Sequence, residues 1–170
     1  MYKIDDIVVN NKNLVCKITS VMHNVDFGLG PNDYFMLEPC FPTRGGSEVK
    51  YYVPTNSEGL CRRALNKNEI DELLKKVNNL DLLWILNPKV RKATFRQIYY
   101  KGDPLDALKI IRSYEVKKVE LNSCGKDLSY SDNNLLNDIK RKLYNEFSLA
   151  LGVEPSEVEA YIKAKIESFE

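Results

Sequence analysis

Five cationic side chains, Lys89, Arg91, Lys92, Arg96 and Lys101, follow the only tryptophan of the chain, Trp84, and no acidic residue stands between Asp81 and Asp103. A solvated face normally mixes signs, so a run of one sign is the pattern that phosphate binding requires. An aromatic ring at the start of such a run could insert beside a base step while neighbouring cations hold the phosphates. The plainer alternatives are that a lone tryptophan among Leu82, Leu83, Ile85 and Leu86 is core, and that a charge run is simply solvated. The helix that would carry the cations begins near Pro88. Its spacing sets Lys89, Lys92 and Arg96 on one face, with Arg91 nearer a second face shared with positions 95 and 98 or 99. On spacing the candidate DNA contacts are Trp84, Lys89, Lys92 and Arg96.

Catalytic chemistry has little to draw on. General acid-base or nucleophilic catalysis needs a poised histidine, cysteine or carboxylate pair with an orienting partner. His23 is the only histidine and falls in a strand or turn, where it reads as a surface residue. There is no nucleophile elbow, phosphate-binding glycine loop or dinucleotide fingerprint. Cys16, Cys40, Cys61 and Cys124 are too widely spaced for a C-x-x-C zinc or redox site, so they read as reduced, packed thiols. The expectation is a protein that is not an enzyme, with no cofactor, metal or small-molecule substrate.

The elements that must position the patch follow from periodicity. The first 55 or so residues read as short strands, "IDDIVVN", "LVCKITSV", "DYFMLEPCF" and "SEVKYYVP", separated by Asn, Gly, Pro and Asp clusters. Four or five antiparallel strands of this length predict a small barrel or SH3-like sheet, with "GLGPND" and "PTRGGS" supplying glycines for the turns. Such a module leaves a strand edge to which a partner could add a strand.

From about residue 66 the period becomes helical. Ile70, Leu73, Leu74 and Val77 form one apolar stripe, and Asn66 or Asn68 can cap it. Asp103 followed by Pro104 is a helix start. Ser129 or Ser131 opens a long helix through Leu135, Ile139, Leu143 and Phe147, and Gly152 is placed to end it. A last helix begins at Pro155. The predicted class is α+β in two modules, a β module over 1–60 and an all-α bundle of about five helices over 61–170.

The 170 residues carry 25 Lys and Arg against 24 Asp and Glu, but the cationic excess lies wholly beyond residue 60. "MYKIDDIVV" has an acidic pair where a signal peptide has a cationic leader, and no apolar run could cross a bilayer, which predicts a cytoplasmic protein without membrane contact.

In order and spacing, "YKIDDIVV", "LVCKI", "YYVP", "CRRALNKNEIDELL", the single Trp, "KGDPLDALKIIRSY" and "LSYSDNNLLNDIKRKLYNEFSLAL" resemble the CarD (CdnL) family of bacterial RNA-polymerase-binding transcription regulators. The resemblance spans nearly the whole chain. It implies a Tudor-like N-terminal module that docks on the polymerase β subunit. It also implies a helical module that contacts promoter DNA at the upstream edge of the melted region, largely without regard to sequence. Trp84 would match the family's wedge tryptophan, and Arg91, Lys92 and Arg96 its basic segment, which adds Arg91 to the candidate DNA contacts. Tyr51, Tyr52 and Val53 would match the strand facing polymerase, and Asn24 and Tyr52 fall where relatives carry basic residues. Asn10 and Asn11 stand in place of Tyr-Pro, and Leu14 where a turn glycine is common. The rival expectation is a protein-interaction adaptor without DNA contact, in which Trp84 is core.

Overall fold

The structure, a computed structural model, describes residues 2–43, 49–56 and 61–169. It divides into two compact units, Met1–Ala64 and Leu65–Glu170, an α+β chain with its strands in the first and its helices in the second.

The first unit is a five-stranded antiparallel sheet of β1 (Ile7–Asn10), β2 (Val15–Asp26), β3 (Pro31–Pro39), β4 (Tyr51–Pro54) and β5 (Cys61–Arg63), in the order β4-β3-β2-β1-β5. The sequence places the domain boundary at residue 60. The structure places it after Ala64, because residues 61–63 form β5 and pair with β1, Val8 opposite Arg63 and Asn10 opposite Cys61. Alternation sends Cys16 and Ile18 of β2 and Phe35 and Leu37 of β3 inward, where they pack with Val8 and Val53. Asn10 forms the β1-β2 turn, its Oδ1 accepting from the Lys12 and Leu14 amides at 2.9 and 3.1 Å. The expected "GLGPND" turn joins β2 to β3. Asp26 Oδ1 accepts from the amides of Gly28 and Gly30, both in the left-handed region that glycine adopts without strain. Gly45 and Gly46 of the other expected turn lie outside the described residues. Closure into a barrel is not observed among the described residues, and β4 and β5 are the two ends of the sheet.

The second unit contains α1 (Lys67–Val77), α2 (Pro88–Tyr99), α3 (Pro104–Ser123), α4 (Tyr130–Leu151), a 3-10 turn (Pro155–Glu157) and α5 (Val158–Glu167). Asn66 and Glu69 start α1 with a reciprocal capping box. Asp103 Oδ1 accepts from the Leu105 amide to start α3, and Ser129, not Ser131, caps α4. Gly152 ends α4 with φ 68°. The core is built on Tyr114, Phe95, Phe147, Ile70, Leu74 and Ile110, which are fully buried. Tyr161 donates to Asp71 at 2.7 Å and Lys165 pairs with the same carboxylate at 3.1 Å, which ties α5 to α1. Among the described residues no helix is long and apolar enough to cross a membrane.

Candidate nucleic-acid interface

Between α1 and α2 the chain runs from Leu80 to Leu86 without regular hydrogen bonding, and this strap carries Trp84. The apolar run "LDLLWIL" is bracketed by Asn79 and by Asn87, whose Oδ1 accepts from the Lys89 and Val90 amides and so fixes the start of α2. Trp84 is half-buried. Its ring meets Tyr114 edge-to-face at 5.9 Å, and the Arg91 guanidinium covers one of its faces, 4.2 Å from the ring centroid. Leu82 and Leu86 on the same strap are exposed, Leu86 to 87%, as is Val90 in the first turn of α2. Trp84 therefore belongs neither to a sealed core nor to free solvent.

Pro88 sets the phase of α2, and the helix turns Arg91, Phe95 and Tyr99 inward. Lys89 and Arg96 are exposed and Lys92 is half-buried, and none of the three has an ion-pair partner among the described residues. Lys101, just beyond the helix, is also exposed.

Arg91 requires a correction. Proposed from sequence as a DNA contact, it is 5% exposed and is spent internally. Its Nε and Nη2 donate to Asp132 Oδ1 and Oδ2 at 3.1 and 2.6 Å, and its Nη1 donates to the carbonyls of Ile85 and Leu86 at 2.6 and 3.3 Å. Asp132 also accepts from the Tyr114 hydroxyl at 3.0 Å and the Ser129 hydroxyl at 2.7 Å. Burial alone would push the Asp132 carboxyl up. The hydrogen bonds from Arg91, Ser129 and Tyr114 outweigh it and hold the group below the ordinary carboxylate range. The Asp132 hydrogen bond raises the Arg91 guanidinium further, and burial followed by the neighbouring carboxylate pushes the Tyr114 phenol well up. At neutral pH the cluster is a charged pair with a neutral tyrosine.

Three residues that sequence reasoning missed support the strap from α3 and α4, Ser113 and Asp132 being buried. Ser113 accepts from the Leu83 amide at 3.1 Å, Lys117 lies 5.7 Å from the Trp84 ring centroid, and Asp132 neutralises Arg91. Helical spacing puts Ser113 and Lys117 on one face of α3. No sequence signal links them to Trp84, because those contacts are tertiary.

The residues assigned to polymerase occupy two places in the sheet unit. Among the described residues β4 pairs only with β3, at one end of the sheet. Tyr52 is exposed and stacks obliquely on Phe27 at 5.2 Å, and Tyr51 is half-buried beneath Lys12. Val53 is a second correction. Its side chain belongs to the sheet core, which leaves only its backbone for any partner. Asn24 is exposed with φ 56°, at a break in the β2-β3 register, and its amide donates to Asp33 Oδ1 at 2.9 Å. The other Asp33 oxygen is 2.8 Å from His23 Nδ1, on the surface. That backbone bond and the His23 contact hold the Asp33 carboxyl below its usual range. No group of His, Cys, Asp and Glu among the described residues is placed to hold a metal, and Cys40 and Cys124 are free thiols.

No protein-family model matches this chain, and no curated protein is significantly similar to it in sequence.

Proposed function

We propose that this protein is a non-enzymatic transcription regulator of the kind that CarD and CdnL exemplify. In this reading the sheet unit docks on the RNA polymerase β subunit and the helical unit touches promoter DNA at the upstream edge of the melted region. The observation that carries it is a half-buried Trp84 on a strap with exposed Leu82 and Leu86, leading into a helix whose outward Lys89, Lys92 and Arg96 no acid neutralises among the described residues. Apolar groups that part a base step and cations that hold the flanking phosphates are the two components of a minor-groove wedge.

Unstacking costs a few kcal/mol per step, so the wedge acts only where polymerase has already opened the duplex, and there it slows bubble collapse. A differential contact of about 1.4 kcal/mol changes the open-to-closed ratio about tenfold. Three phosphate-facing cations, or four with Lys101, give a log-log salt slope of about −3 to −4 and weak, sequence-independent binding to free DNA. The finer shape that we assign to the sheet unit is Tudor-like. A meander of β1 to β4 whose β5 returns to the free side of β1 supports it, as do the register breaks in β2, since bulges add the twist that a small barrel needs. Docking would use the outer edge of β4 through backbone pairing, which tolerates uncharged Asn24 and Tyr52.

Trp84→Ala should shorten the lifetime of the open complex while retention on immobilised polymerase β lobe is unchanged. An unaltered lifetime removes the wedge from the account. The adaptor reading keeps one observation in its favour, the contact of the indole with Tyr114 and Arg91. A blue-shifted, quencher-resistant fluorescence spectrum of the free protein would favour it.

A further inference from the structure

We propose that Arg91 is a positioning residue, a latch that binds the Trp84 strap to the start of α4 and thereby fixes how the indole is presented. Four hydrogen bonds and one ring contact leave little of the guanidinium unused. One edge is committed to Asp132, Nη1 to the carbonyls of Ile85 and Leu86, and one face to Trp84. Those carbonyls lie in an irregular segment that has no ladder or helix to satisfy them, and their bonds to Arg91 are part-buried, so losing the donor is costly. An apolar pair in place of Arg91 and Asp132 could serve packing equally well. It could not hold two carbonyls and an indole face at once. Only a planar fork with several donors in fixed directions does so, and a lysine cannot substitute for it.

The other end of the latch is equally committed. Asp132 sits in the first turn of α4 and is held by Ser129 and Tyr114, so the guanidinium is referenced to two long helices. Ser113 anchors the strap a second time through the Leu83 amide. Trp84 thus lies between two attachment points, at Leu83 and at Ile85–Leu86. A wedge that is ordered before it meets DNA avoids the cost of ordering on binding.

The claim about strap order stands on geometry alone, and its consequence for promoters rests on the function proposed above. The experiment uses the full chain with Arg91→Lys, Asp132→Asn and, as a milder probe that keeps the ion pair, Ser113→Ala. Acrylamide quenching of the single tryptophan and amide exchange over residues 81–86 report strap order. Thermal unfolding and far-UV circular dichroism report the rest of the fold. In Arg91→Lys and Asp132→Asn, Trp84 should be quenched more readily than in the wild-type protein and the strap amides should exchange faster while helix content is kept. Ser113→Ala should do the same to a smaller extent, chiefly at Leu83. Lys92→Ala, on the outer face of α2, should leave quenching unchanged. Unaltered quenching and strap exchange in Arg91→Lys would overturn the latch. So would changes that appear only in step with global unfolding in all three variants. If the latch variants loosen the strap and Trp84→Ala leaves open-complex lifetime unchanged, the latch holds and the proposed function fails. If both hold, Arg91→Lys should shorten that lifetime in the direction of Trp84→Ala.

Discussion

Arg91 and Arg96 belong to one helix and serve opposite ends. The inward face of α2 carries Arg91, Phe95 and Tyr99, and its arginine is neutralised by a carboxylate 41 residues further along the chain. The outward face carries Lys89, Lys92 and Arg96, and nothing among the described residues neutralises them. A run of like charge in sequence is therefore not a run of like charge on the surface. What decides the difference is helical phase together with a partner that only the tertiary fold supplies.

The largest effect should come from the inward face. Arg91→Ala or Asp132→Ala leaves an uncompensated buried charge and should destabilise the helical unit by about 3–5 kcal/mol in denaturant unfolding. Replacing both partners with apolar residues should cost much less, so a double-mutant cycle will show strong coupling. Independent, additive losses would mean that the two residues do not act as a pair.

The same pair sets an acid sensitivity. Asp132 has a folded-state value below its unfolded one, so its contribution is complete above the unfolded value and is lost as pH falls through the folded one. Unfolding free energy should therefore drop below about pH 4, the ordinary carboxylate range, and the drop should be shallower in Asp132→Asn. Equal slopes in the two proteins would place the acid sensitivity elsewhere.

On the outward face the effects reverse in kind. Converting Lys89, Lys92 and Arg96 together to glutamine should reduce the salt slope of DNA binding by about 2 to 3, and stability should move by no more than about 0.5 kcal/mol per surface site. A promoter-selective loss would point to direct base reading. The smallest effect is expected for Arg96→Lys, which keeps the charge at an exposed site and should shift neither slope nor stability measurably. The same exchange at Arg91 should be damaging, and a mild Arg91→Lys phenotype in unfolding and quenching would erase the contrast between the faces.

Much of the scaffold was legible because its signals are local. Asp103 before Pro104, Ser129 as one of two caps offered for α4, Asn66 as one of two offered for α1, and Gly152 each act within a turn of their own position, and the structure uses all four. β5 was not separately legible. Its three residues are strand only because β1 offers them an edge across most of the length of the unit. Nor was the fate of Arg91. Its grouping with positions 95 and 99 was readable from spacing, but the carboxylate that makes burial tolerable lies on another helix, so the residue looked like one more phosphate ligand. Lys117 and Ser113 escaped notice for the same reason, since their relation to Trp84 exists only once α3 runs beneath the strap.

The central claim, that Trp84 acts as a wedge on DNA opened by polymerase, is met most directly by the decay of competitor-challenged open complexes formed with wild-type protein and with Trp84→Ala. At matched occupancy of polymerase, the variant complexes should decay about tenfold faster, which corresponds to a contact of about 1.4 kcal/mol. Identical decay at equal occupancy would contradict the account.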